Sequence, residues 1–218
     1  MQRQDQDSWP ERIAAGFLLR VGSGPSPNAI DLAQRAGLHP APSDVERATL
    51  AEDGTLLYRA DARHIDQQRW VAQHLAGWLL RQQQRDDSPE PTAHTAAALL
   101  LPRDAFLRDA ERTSWNLRAL QPLYPNASMG TLALRIANLQ DAVVTWFDRG
   151  TARWRSVAPA FSAQLASPTR FEQNLAAIAL ETDSVLHPAP RVWAFPLNRK
   201  LGTALLVCDA QDLLARDK

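Results

Sequence analysis

Apolar residues recur at three- and four-residue intervals over residues 67–83, QQRWVAQHLAGWLLRQQ. Trp70, Val71, Leu75, Trp78 and Leu79 fall on one face at that spacing, with His74 on or beside the stripe. The pattern predicts one long amphipathic helix starting between His64 and Asp66. Shorter stripes predict helices over 9–20, where Pro10 suits a helix start, and over 28–36, stopped by Gly37. Residues 39–42, His-Pro-Ala-Pro, read as a loop. Residues 47–50 and 55–58 read as two short strands joined by Glu52-Asp53-Gly54, an Asp-Gly hairpin signal.

The polar run 81–87 and the prolines 89 and 91 end the long helix. Residues 92–101 predict a buried helix stopped by Pro102. Helices over 104–112, 114–123 and 128–139 follow, the last with Ser128 as its cap and Leu132, Ile136 and Leu139 as its stripe. The pair 114–139 has a helix-turn-helix arrangement. Beyond Asp141 the character changes. Strand-like runs at 142–147 and 151–157, a helix from 169 to about 180, strands at 191–195 and 203–208 and a short terminal helix make a small α+β unit. The expected division is 1–112, 113–141 and 142–218.

Composition narrows the function. Lys+Arg and Asp+Glu both number 24 in 218 residues, so the formal net charge is zero, which argues against a general nucleic-acid or membrane-surface binder. The polar N-terminus lacks a signal-peptide core, and no apolar run is long enough to span a bilayer. The single cysteine, Cys208, forbids an internal disulfide and suits a reducing cytoplasm, where it reads as a small buried hydrophobe. Seven tryptophans are expected to be mostly core. Trp146, Arg149, Arg153, Trp154 and Arg155 interleave aromatic and basic groups on one hairpin. That mix can stack on single-stranded nucleic acid, but at zero net charge it reads first as a partly exposed sheet face with cation–π pairs.

The order of several segments carries a resemblance: DLAQRAGL at 31–38, DGTLLY at 53–58, RWVAQHLAG at 69–77, AAALLLP at 96–102 and ASMGTLALRI at 127–136. Together they resemble the ImmA/IrrE family of zincin-type metallopeptidases over about residues 28–140. The resemblance implies a zincin-like, mainly helical body with a short β-sheet and the helix-turn-helix pair; with the C-terminal α+β extension read from the pattern beyond Asp141, the expected fold class is α+β. It also implies a zinc peptidase that cleaves a transcriptional repressor. In an H-E-x-x-H helix two histidines four residues apart hold zinc and the glutamate polarises its water. Here Gln73 and Gly77 stand at the histidine positions and His74 at the glutamate position. The family's third ligand falls near Pro91, with Glu90 the nearest carboxylate, and His94 lies on the same helix.

The expectation is therefore a catalytically inactive member: no catalytic residue, no metal ligands, no cofactor. Gln73, His74, Gly77, Glu90 and His94 mark the degenerate cleft. A replacement site from His64, His74 and His94 meets the objection that His64 and His74, ten residues apart, lie nearly opposite on an ideal helix. Such a protein would act by binding a protein partner, for instance a transcriptional repressor; the pattern sets no oligomeric state. Two alternatives stand beside it: an active zinc endopeptidase with rearranged ligands, and a DNA-binding regulator using 114–139. Against the latter, residues 129–131 offer almost no polar or basic group for base reading, and Arg135 stands alone.

Overall fold

The computed structural model of the chain describes residues 8–216, and these form an α+β fold. Backbone contacts gather into two compact units. One comprises the residues up to Phe106 with Gln121–Leu132; the other comprises Leu107–Leu120 with the residues from Ala133 onward.

In the first unit, α3 (His64–Gln82) packs against α1 (Trp9–Val21), α2 (Ala29–Arg35) and α4 (Pro89–Leu100). Its predicted stripe is the reason: Val71, Leu75 and Leu79 are buried and Trp70 and Trp78 half-buried, with Leu80 buried beside them; Leu32 and Leu99 on the neighbouring helices are buried too. A small sheet, β1 (His39–Ser43), β2 (Thr49–Leu50) and β3 (Thr55–Arg59), has the order β1-β3-β2, with β1 parallel and β2 antiparallel to β3. The stretch expected as a loop at 39–42 is thus an edge strand. Its prolines are tolerated because they alternate: the N–H of His39 donates to Gly54 O at 2.9 Å, and Pro40 and Pro42 take the positions facing away from β3. The Asp-Gly turn forms as expected, with Gly54 at φ 84° and Asp53 Oδ1 accepting from the Thr55 N–H at 2.8 Å.

α2 begins on a long-range contact. Asn28 Oδ1 caps it, accepting from the N–H groups of Ile30 and Asp31. Gln68 of α3, fully buried, accepts from the Ala29 N–H at 2.6 Å through Oε1 and donates from Nε2 to Asn28 Oδ1 at 3.2 Å. Replacing Gln68 by alanine leaves that N–H unpaired in the interior, and urea unfolding should show a loss of about 1–3 kcal/mol.

Two predicted boundaries shift. Helix α4 starts at Pro89 rather than at 92, because the first-turn N–H groups have no intrahelical partner and proline loses nothing there. The helix expected over 114–123 is broken. After α5 (Arg103–Arg112), Ser114 and Trp115 adopt φ of 49° and 66°, and Asn116 Oδ1 accepts from the N–H of Arg118 at 3.0 Å. Only α6 (Leu117–Leu120) and a 3-10 turn, Gln121–Leu123, precede α7 (Met129–Leu139). On α7, Leu132 and Ile136 are buried as the stripe predicts.

The second unit is built on an antiparallel sheet ordered β5-β4-β8-β7-β6. Its strands are β4 (Ala142–Asp148), β5 (Thr151–Val157), β6 (Leu186–Ala189), β7 (Val192–Asn198) and β8 (Thr203–Asp209). The pattern did not predict β6, an edge strand broken up by Pro188. Helix α8 (Arg170–Thr182) covers one face through Leu175 and Ala179, which meet Val143, Phe147, Leu206 and Cys208; Leu213 of α9 (Ala210–Arg216) joins them. Cys208 is fully buried, and burial pushes its thiol far above the usual range, so it packs as a hydrophobe. The tryptophans depart from expectation: only Trp115 and Trp193 are core, and Trp154 is 39% exposed. Among the described residues, no helix is long and apolar enough to cross a membrane.

Candidate functional site

The five cleft positions lie on α3 and α4 of the first unit. Burial of the stripe fixes α3's rotation, and this turns Gln73 to solvent while Gly77 faces inward. A Cβ at Gly77 would lie 3.6 Å from Arg81 Nη1 and 3.9 Å from Thr92 Cγ2, so the glycine abuts α4 and the Arg81 guanidinium. Arg81 is held there by Asp87 at 2.7 Å, and the Thr92 hydroxyl donates to Asp87 O at 2.9 Å. Glu90 is exposed on the first turn of α4, and His94 is half-buried one turn further on.

His74 is half-buried, and its Nε2 lies 2.9 Å from the carbonyl of Ala48. A carbonyl only accepts, so Nε2 carries a proton and donates it. Burial lowers the pKa of this histidine, and the nearby Arg81 charge lowers it further; the bond to Ala48 works the other way. The fold therefore favours the neutral ring. Stability from this group is fully present above the unfolded-state pKa of about 6.5 and is lost as pH falls through the folded value. His74→Gln should flatten that acid limb, seen as a smaller drop in Tm between about pH 7.5 and pH 5.5 than in the parent chain.

These positions do not fit a zinc ion. Gly77 has no donor, Gln73 points outward, and the guanidinium beside Gly77 is a cation that cannot ligate a metal. His64 is exposed elsewhere on α3, its Nε2 2.9 Å from Asn126 Oδ1. Among the described residues, no group of three or more His, Cys, Asp or Glu side chains could hold a metal ion. Sequence reading missed Arg81, although its spacing, four residues after Gly77 and seven after His74, places it on their face.

Two further stretches weighed in the sequence can now be placed. Arg135, the one basic residue of α7, is 1% exposed and cannot reach a phosphate, so α7 offers no basic reading face. The hairpin's interleaved residues separate by burial and pairing, which leaves Arg149 and Trp154 as the exposed members outside an ion pair among the described residues. Arg155 is buried in an ion pair with Glu172, and Arg153 pairs with Asp148 at 3.2 Å. Cation–π contacts occur elsewhere, for example Arg85 over Trp9 and Arg191 over Trp115.

The chain is thus an α+β protein with a helical first unit, in which Gly77 of α3 abuts Arg81 and Thr92, and a second unit that is a helix-covered antiparallel sheet. Its fold is similar to that of a Mycobacterium tuberculosis transcriptional regulator, with TM-score 0.66 and 17% identity, over 92% of this chain and 76% of that one. At that identity the likeness is one of fold. No protein-family model matches the sequence, and no curated protein matches it.

Proposed function

We propose that this chain is a regulatory protein that acts by binding, on a metallopeptidase-like scaffold from which hydrolysis has been lost. Its partner is a protein, such as a repressor-type regulator held along α3 and α4. The observation that carries this reading is the lack of a donor set at these positions: Gly77 has no side chain, Gln73 faces solvent, and the Arg81 guanidinium, paired with Asp87, lies beside Gly77. The name of the structurally similar protein, a transcriptional regulator, supports a regulatory role.

The test has two arms. Protein purified from zinc-supplemented culture should hold far less than one metal per chain, and a chelator should leave its Tm unchanged. Affinity capture should retain one stoichiometric protein, released by substitutions of exposed residues of this face such as Gln73 and Glu90. Stoichiometric zinc with chelator-sensitive stability would instead establish the active-enzyme reading.

A further inference from the structure

Two turns of the second unit, 148–151 and 198–202, are pressed together. The Arg149 N–H donates to Gly202 O at 2.9 Å, and a Cβ on Gly202 would come within 3.3 Å of Arg149 Cα. Gly202 also has φ 66°, so glycine is required twice over. Asn198 Oδ1 accepts from the Leu201 N–H at 3.1 Å and fixes the second turn. This tip displays Arg149, Arg199 and Lys200, all exposed and, among the described residues, none in an ion pair. Asp148, next to Arg149 in the chain, is already paired with Arg153. Leu201 is 55% exposed between the cations and Gly202. Trp154, paired across the strands with Trp146, offers an exposed indole three residues into β5.

We propose that this tip, with the Trp154 face behind it, is a binding surface for single-stranded nucleic acid, independent of the protein-binding reading above. Three exposed cations without an ion pair among the described residues match a phosphate backbone, and an exposed indole is a platform on which any base can stack. The chain's zero net charge does not oppose this, because charges beyond about 8 Å are screened at physiological salt and the local excess governs. A bilayer would fit less well. At about 3.3 Å per residue the indole sits roughly 10 Å back from the turn, so a plane touching the tip leaves it outside, whereas a flexible strand reaches both.

The test is fluorescence anisotropy of a labelled oligothymidylate titrated with the whole chain. Three phosphate contacts give a slope of about −2 in log affinity against log salt, a loss of roughly 20-fold between about 50 and 200 mM salt. The triple variant Arg149→Gln, Arg199→Gln, Lys200→Gln should abolish that slope and most of the binding. Trp154→Ala should weaken binding about tenfold or more and leave the slope in place. The proposal is overturned by no binding at the lower salt, by a flat slope in the parent chain, or by undiminished binding in a folded triple variant. Displacement of the oligomer by phosphatidylserine vesicles overturns it too, in favour of a lipid surface. Should the triple variant fail to fold, the parent chain's slope and the Trp154 variant still decide.

Discussion

Glu172→Ala is expected to cost about 3–5 kcal/mol in urea unfolding, the range for removing one partner of a buried ion pair. Glu172 is 0% exposed and Arg155 9%. The guanidinium grips the carboxylate in bidentate fashion, at 2.6 Å to Oε1 and 3.1 Å to Oε2, and its Nε donates to Leu165 O at 3.0 Å. The Thr145 hydroxyl donates to Oε1 at 2.7 Å, and Thr169, the N-cap of α8, donates its N–H to Oε2 at 2.9 Å. Every strong group is satisfied, which is why the pair is tolerated in the interior. Alanine leaves the Arg155 charge without its counter-ion and opens the capping box that starts α8. Replacing both partners with apolar residues, Arg155→Met with Glu172→Leu, should recover much of the loss, because it removes the stranded charge as well as the pair. If Glu172→Ala unfolds at the parent's urea midpoint, the network is not what joins α8 to β4 and β5.

Leu75→Ala should cost about 2–5 kcal/mol by the same measurement. Leu75 is 0% exposed at the centre of α3, the helix against which α1, α2 and α4 all pack. Truncation loses the transfer free energy of the removed atoms and leaves a cavity, and a helix held by three neighbours has little freedom to collapse into it. A loss below about 1 kcal/mol would mean that α3 is not the packing axis of the first unit. Binding by exposed residues of α3 should persist in the variant at temperatures where it remains folded, so stability and recognition can be separated.

The elements most legible in the sequence are those whose signal is local. The α3 stripe, the Asp53-Gly54 turn and the Ser128 cap, whose Oγ accepts from the Thr131 N–H at 3.1 Å, depend on residues within a few positions of one another. What escaped depends on distant partners. β1 contains two prolines and becomes a strand only because β3 lies alongside it. Arg155 looked like part of an exposed basic face, and only Glu172, 17 residues later, draws it inside. The break at Ser114–Trp115 has a local signal in Asn116, which favours starting a helix over continuing one. At the candidate site, the sequence shows that Gln73 and Gly77 are poor metal donors, but the arginine beside Gly77 required the helix to be placed against α4.

The chain's route between its compact units has a practical consequence. It leaves the first after Phe106, returns for Gln121–Leu132 and then departs. Tyr124 stacks edge-on against Phe106, and Asn126 donates to the carbonyl of Pro27 at 3.1 Å, so the returning stretch completes the first unit. A deletion series trimmed from either end would therefore strip a piece from one unit before the other is reached. Mapping which residues recognise a partner calls for single substitutions in the intact polypeptide, since a shortened fragment that fails to bind would report a damaged interior as readily as a missing contact.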